Sequence, residues 1–302
     1  MSQHEVKTGA VRPRPASLLR LLSCIRIDEV CVLQGAPAIG ACFAMADFSA
    51  ATLLAIAMLV AGNVCLVAHV FVLNDWSGIH GDLQDPNRAA RTFVAKGENP
   101  ARMGYLALVL LALSLLLFSQ VSWVALAIAS VIATFSAIYS LPGIHGKGIP
   151  FLNSLLHFFG GWLHFLLGYA AFSSVSLHSV VIGCFFGLVF TAGHFTHETR
   201  DHDGDLRNGI RTNAVALGKR RSFLAGLTLF SAAYALLTAL ALLGIVPSVL
   251  SLAIVLYAIH LRAALRALRA GLDFQSVRRL QTTYRNIHVI IGLAMLATVP
   301  PW

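Results

Sequence analysis

The sequence predicts an all-α integral membrane protein with nine transmembrane helices. Of its 302 residues, 57% are hydrophobic and only 12% are charged, whereas a soluble domain carries about 25% charged residues. Nine apolar stretches approach or exceed the roughly 20 residues that a helix needs to span the hydrocarbon. With nine spans, the basic residues all fall on one side of the membrane.

The nine predicted spans follow one another with short connections. The fifth, sixth and eighth contain polar residues, which spanning helices tolerate because neighbouring helices satisfy the polar groups. The sequence shows no linker and no soluble domain, so we expect an N-terminal cytoplasmic segment, 1–29, and one membrane domain, 30–302. In order, the spans are 30–46, 51–73, 102–119, 121–141, 152–172, 176–197, 222–243, 246–262 and 286–300.

The distribution of lysine and arginine predicts the orientation. All 22 basic residues lie in alternate connections or at the helix ends next to them. The positive-inside rule therefore places the N-terminus in the cytoplasm and predicts a multi-pass membrane protein. The net charge of +9 indicates attraction to anionic membrane lipid. It does not indicate nucleic-acid binding, because the charge is spread over five loops.

Two acidic segments interrupt this apolar chain and carry seven of its 13 acidic residues. The first, NDWSGIHGDLQDPNRAAR, covers 74–91 after the second span, and the other, ETRDHDGDLRNGIRT, covers 198–212 after the sixth. An offset of four helices returns the chain to the same side, so we expect both segments to face one cytoplasmic cavity. Oxygen ligands beside arginines suit Mg²⁺ bound together with a polyphosphate.

Spacing predicts that each acidic segment continues a helix. Asn74, Gly78 and Asp82 recur every fourth residue, which places them on one helical face. Glu198, Asp201 and Asp205 are spaced i, i+3 and i+7. One such stripe alone would be interpreted as a solvated acidic face, but two stripes on the same side favour a shared metal site.

The two segments resemble the motifs of the UbiA superfamily of intramembrane prenyltransferases. The first is similar to that family's NDxxDxxxD motif, and RDHDGDLRNGIRT is similar to its RDxxGDxxxGIRT stretch. A weaker similarity covers YSLPGIHGK, residues 139–147, after the fourth helix. The resemblance extends over about the whole chain and implies a UbiA-type bundle with its acidic motifs on the cytoplasmic side.

The resemblance implies a Mg²⁺-dependent transfer of a prenyl group from an allylic isoprenyl diphosphate to a small-molecule acceptor. Asp75, Asp82, Asp201 and Asp205 would be catalytic. The metal ligands would be Asn74, Asp75, Asp82, Glu198, Asp201 and Asp205. Basic side chains would bind the diphosphate: Arg91, Lys147, Arg200, Arg207 and Arg211. The candidates for the acceptor cavity are Tyr139, Asn153 and His157.

Gly78 departs from the family pattern, which usually has a metal-binding aspartate at that position. Either Asp75, Asp85 or His80 compensates, or the site binds one Mg²⁺ instead of two, or the change marks a subgroup with unusual chemistry or weak activity. Two alternative functions stay open. One is a membrane terpene cyclase on the same scaffold, and the other is a non-catalytic protein that binds or transports prenyl lipids.

Overall fold

The computed structural model describes residues 18–85 and 88–298, and within these ranges the chain forms helices, turns and loops without a strand. Short 3₁₀ turns at 89–91, 146–148 and 248–252 join some of the helices. The helices, numbered α1 to α12, are Leu18–Ser23, Ile27–Val32, Gly35–Ala44, Ala50–Gln84, Pro100–Val121, Trp123–Ser140, Leu152–Ala170, Leu177–Arg207, Asn213–Leu217, Lys219–Leu242, Ala253–Arg269 and Phe274–Thr298.

Seven helical segments in the described ranges are long and apolar enough to cross a membrane: Ile27–Ala44, Ala50–Gln84, Pro100–Val121, Trp123–Ser140, Leu177–Arg207, Lys219–Leu242 and Ser248–Arg269. The predicted fifth and ninth spans correspond to α7 and to the second half of α12. Both segments are helical. Polar residues, such as Asn153 and His164 in α7, lower the mean hydropathy of these helices. An all-helical membrane bundle is therefore confirmed, whereas the count of nine spans is not.

The outer surface of the bundle carries many large apolar side chains. On α5, Leu108 is 63% exposed and Leu116 is 61% exposed. On the inside, a large core joins α7 and α8 to the C-terminal helices around Phe165, Phe230 and Tyr234. Exposed leucines around a packed aromatic core are what a lipid environment permits, because lipid tails solvate apolar side chains.

Glycines allow α3, α7 and α8 to pack backbone to backbone. A Cβ atom built on Gly168 of α7 would lie 1.9 Å from the carbonyl oxygen of Pro37, and one on Gly40 of α3 would lie 2.1 Å from that of Phe165. Across the next interface, a Cβ on Gly161 would lie 2.7 Å from the carbonyl oxygen of Phe186. Small residues permit such close approach between membrane helices, which brings α7 and α8 together below the acidic segments.

Candidate active site

The first acidic segment extends the second predicted span without a break. Helix α4 has 35 residues, which corresponds to a length of about 52 Å, while the hydrocarbon of a bilayer is about 30 Å thick. Asn74, Asp75 and Asp82 lie in its last three turns, and the helix ends at Gln84. Pro86, two residues further on, is expected to stop the helix, because a proline cannot continue it, but it lies outside the described residues.

The second acidic segment lies on the C-terminal end of α8, which has 31 residues. After Arg207 the chain turns at Gly209, whose φ of 66° lies in the left-handed region that favours glycine. The Nδ2 of Asn208 donates a hydrogen bond of 3.4 Å to the carbonyl oxygen of Gly81. The ends of α4 and α8 are therefore in contact, as two segments sharing one cavity require.

Arg88 joins the two acidic segments. Its guanidinium lies 3.1 Å from Asp82, 3.5 Å from Asp85 and 2.6 Å from Asp201. Burial tends to lower the pKa of Arg88, but the carboxylates of Asp201 and Asp82 outweigh that effect and raise the pKa above its ordinary value. Arg88 is thus a fixed cation between the motifs. It was not among the residues predicted to bind the diphosphate, because its place in the loop does not distinguish it from Arg91.

Two further arginines pair with the predicted metal ligands. Arg26 forms a bidentate ion pair with Asp75, including an Nε–Oδ2 hydrogen bond of 3.1 Å. Arg200 donates to both oxygens of its neighbour Asp201, at 2.7 and 2.9 Å. Asp205, in contrast, makes no side-chain hydrogen bond or ion pair with any residue that the structure describes, so its carboxylate is available to a ligand.

Lys147 enters the site from the connection between α6 and α7. His145, with φ of 49°, and Phe151, with φ of 65°, adopt left-handed backbone angles on either side of it, which non-glycine residues seldom do. Burial lowers the pKa of the Lys147 ammonium, and the carboxylate of Asp82 opposes that effect. The Lys147 side chain reaches the first motif, where its ammonium lies close to Gly78.

A buried hydrogen-bond network holds this connection in place. Asn153 Nδ2 donates to Oε1 of Glu198 at 2.6 Å and to the carbonyl oxygen of Lys147 at 3.1 Å. Asn213 Nδ2 donates to the other oxygen of Glu198 at 2.9 Å, and its Oδ1 accepts from the backbone of Phe151. Glu198 and Asn153 are therefore placed in a structural network, with both carboxylate oxygens of Glu198 already accepting hydrogen bonds.

Changing Glu198 to glutamine tests this network. The new amide would present N–H groups to Asn153 or Asn213 in place of an acceptor, and an unsatisfied buried donor costs about 1–3 kcal/mol. We expect Glu198→Gln to lower the melting midpoint in detergent, measured by circular dichroism. Glu29→Gln is the control, because Glu29 pairs with Arg285 at the surface and such pairs contribute about 0–1 kcal/mol. Equal midpoints for the two variants would contradict the network's role.

The predicted acceptor residues Tyr139 and His157 lie together beside His194, which precedes Asp201 on α8 by two turns. The His157 ring stacks on the His194 ring, with centroids 3.7 Å apart. The Tyr139 ring is edge-on to the His157 ring, with centroids 5.2 Å apart. Because Nδ1 of His157 bonds to the carbonyl oxygen of Asn153 at 2.7 Å, that nitrogen carries the proton. In the neutral ring Nε2 therefore carries the lone pair, and it makes no hydrogen bond with the residues that the structure describes. His194 is an addition to the residues predicted for this cavity.

The remaining predicted cations lie at the rim. Arg91, at the end of a 3₁₀ turn, and Arg207 and Arg211, on either side of the turn after α8, are all exposed. They make no side-chain hydrogen bond or ion pair within the described ranges. The structure thus divides the predicted basic residues into an inner group, Lys147 and Arg200, and an outer group of three.

The donor set fits a hard divalent cation. Carboxylates from α4 and α8, together with the amide of Asn74, supply oxygen ligands of the kind that Mg²⁺ prefers. In the described ranges, no group of three or more His, Cys, Asp or Glu side chains is already arranged around a metal position. Arg88 instead occupies the space between Asp82 and Asp201, so a cation there would compete with its guanidinium.

Comparison of the fold with solved structures gives similar architectures at low sequence identity. A UbiA homolog from Archaeoglobus fulgidus bound to GPP and Mg²⁺ has a TM-score of 0.72 at 14% identity, over 92% of this chain and 100% of that one. An apo UbiA homolog from Aeropyrum pernix K1 has a TM-score of 0.70 at 18% identity, over 90% and 98%. A structure of digeranylgeranylglyceryl phosphate synthase in membranes has a TM-score of 0.70 at 20% identity, over 93% and 98%.

Comparison of the sequence with protein families gives a match that spans most of the chain. A search of curated proteins gave no significant match. The model of the UbiA prenyltransferase family, however, matches residues 35–278, a range that includes both acidic motifs, Arg88 and Lys147. The chain therefore belongs to the UbiA prenyltransferase family.

Proposed function

We propose that the chain is an intramembrane, Mg²⁺-dependent prenyltransferase that moves a prenyl group from an allylic isoprenyl diphosphate to a small-molecule acceptor. The observation that carries the proposal is the meeting of the two acidic motifs around Arg88 at one end of an apolar bundle. The DMAPP, GPP and Mg²⁺ bound by structures of the same fold support it.

The acidic motifs would hold the metal. Asp82 from α4 and Asp201 and Asp205 from α8 are the main ligands in this proposal, with Asn74 and Asp75 beside them. Glu198 has a positioning role, because its buried oxygens accept hydrogen bonds from the amides of Asn153 and Asn213. When bound, Mg²⁺ would supply Lewis-acid stabilisation of the diphosphate leaving group.

The inner cations would bind the leaving group directly. Arg88 lies between Asp82 and Asp201, the Lys147 ammonium lies beside Gly78, and Arg200 pairs with Asp201. Guanidinium groups match phosphate oxygens well. Placing fixed positive charge where negative charge develops lowers the barrier to ionisation. Arg91, Arg207 and Arg211 at the rim would attract the anionic substrate from solution.

The interior below the motifs suits an acceptor. Nε2 of His157 and the hydroxyl of the neighbouring Tyr139 provide polar groups beside His194, two turns before Asp201 on α8. A hydroxyl acceptor that captures the carbocation must lose a proton, and a neutral imidazole can take it. This polar wall favours transfer to a second molecule over cyclisation of the prenyl chain itself.

The distribution of basic residues supports a topology with nine spans, a cytoplasmic N-terminus and the site on the cytoplasmic side. It also supports assigning residues 1–29 to the cytoplasm and 30–302 to the membrane domain. The prenyl chain would then lie between helices, in contact with lipid, while the diphosphate stays at the aqueous rim.

Diphosphate release by the full chain in nanodiscs tests the function. We expect Mg²⁺-dependent release from at least one of dimethylallyl, geranyl, farnesyl and geranylgeranyl diphosphate in the presence of a panel of phenolic and quinone-precursor acceptors. Product analysis separates the alternatives, since a prenylated acceptor indicates transfer and a cyclic hydrocarbon indicates a cyclase. Binding of these diphosphates without turnover would contradict the proposal and favour a binding protein.

A further inference from the structure

Gly78 lies in the middle of a regular helical stretch of α4, one turn from both Asn74 and Asp82. Its backbone angles do not require glycine, since it is not among the glycines with positive φ. Glycine destabilises a helix interior relative to alanine. Glycine at position 78 therefore lowers the stability of the helix, and the backbone does not require it. What it provides is the space that a side chain would otherwise fill.

The Lys147 ammonium lies over that space. A Cβ atom built on Gly78 would be 3.3 Å from Nζ of Lys147 and 3.8 Å from Oδ2 of Asp82. A larger side chain at position 78 would push the ammonium aside. Glycine at this position thus permits a cation to lie directly against the first acidic motif.

The connection that carries Lys147 is fixed in this position. Gly146 packs against α6 so closely that a Cβ on it would lie 2.5 Å from the carbonyl oxygen of Ile138. On the other side, Asn153 holds the carbonyl oxygen of Lys147 at 3.1 Å. The ammonium makes no hydrogen bond or ion pair within the described part of the chain, so its three N–H groups are available to a ligand.

We propose that Lys147 is the fixed cation of the first motif and that its ammonium, lying over Gly78, binds the diphosphate in place of a second divalent cation. The chain then binds the diphosphate with a single divalent cation, held from the Asp205 side. A second divalent cation beside Gly78 would be repelled by the Lys147 ammonium that lies there, and Asp82, the nearest carboxylate of the first motif, is already paired with Arg88. This inference rests on the proposed function.

Metal stoichiometry tests the inference without turnover. The full chain in nanodiscs is saturated with geranyl S-thiolodiphosphate, an analogue that resists ionisation, and bound Mn²⁺ is counted by electron paramagnetic resonance. We expect about one Mn²⁺ per chain. Two Mn²⁺ per chain with tight analogue binding would overturn the inference alone, whereas failure of the wild-type chain to bind the analogue would contradict the proposed function as well.

Two substitutions test the role of Lys147. Lys147→Gln should weaken analogue binding at least about 10-fold, because charged hydrogen bonds are lost, while the Mn²⁺ count stays unchanged. Gly78→Asp should weaken binding by a similar factor, because the new carboxylate would pair with the ammonium. Gly81→Asp adds the same charge one turn away, facing Asn208, and should have a smaller effect. Unchanged affinity in Lys147→Gln, or equal losses in the two aspartate variants, would overturn the proposal.

Discussion

Asp205→Asn is expected to lower Mg²⁺-dependent diphosphate release at least about 100-fold, the range seen when a group that stabilises transition-state charge is removed. Asp205 makes no side-chain hydrogen bond or ion pair with the described residues, so the substitution removes a free carboxylate without breaking an internal contact. An asparagine oxygen carries no net charge and is a weaker ligand for a hard cation. Steady-state release of diphosphate in nanodiscs, with and without Mg²⁺, measures the effect.

Asp203→Asn is the matched control. Asp203 lies on the same helix, two residues away, but its carboxylate is 69% exposed and pairs with Lys219 and His202 on the outside. We expect its release rate to stay within about twofold of the wild type, since surface pairs contribute little. If both variants lose activity equally, the loss reflects the overall charge of the segment. If neither does, Asp205 is not a metal ligand.

Gly168→Ala is expected to cause the largest loss of stability in the chain. The added methyl group would lie 1.9 Å from the carbonyl oxygen of Pro37 and 2.6 Å from its carbonyl carbon. Backbone atoms cannot move aside as the end of a flexible side chain can, so α3 and α7 must separate. Overpacking of this kind costs about 3 kcal/mol or more. A fall in the detergent melting midpoint and in the yield of folded protein would show it.

Gly160→Ala, on the same helix, separates packing from helix propensity. A Cβ on Gly160 would have no neighbouring atom within 4 Å, and alanine favours a helix interior over glycine by about 0.5–1 kcal/mol. The midpoint of this variant should be unchanged or slightly raised. A similar fall in both variants would show that α7 needs glycine for a reason other than its contact with α3.

Much of the architecture follows from local features of the sequence. Hydropathy predicts the helical bundle, because the backbone N–H and C=O groups of an apolar stretch in lipid must hydrogen-bond to one another within that stretch. The spacing of Asn74, Gly78 and Asp82 predicts a helix that continues past the apolar stretch, which α4 does. The number of spans is less secure, because the polar residues of α7 make its hydropathy ambiguous.

The composition of the candidate site follows from the sequence only in part. The acidic residues could be found because they repeat in two segments with helical spacing. Arg88 could not be ranked above Arg91 in this way, since both are arginines three residues apart in one loop. Distance decides between them: Arg88 contacts Asp201, which is 113 residues away in the chain, whereas Arg91 makes no side-chain hydrogen bond or ion pair with the described residues.

The sequence by itself therefore determined that this protein is a helical membrane bundle with two acidic motifs, because hydropathy and helical periodicity are properties of contiguous residues. Only the tertiary structure decided which cation joins the motifs, which side chain lies over Gly78 and which carboxylate stays free. Those three features depend on distances between segments that are far apart in the chain, and the close packing of α3, α7 and α8 fixes such distances.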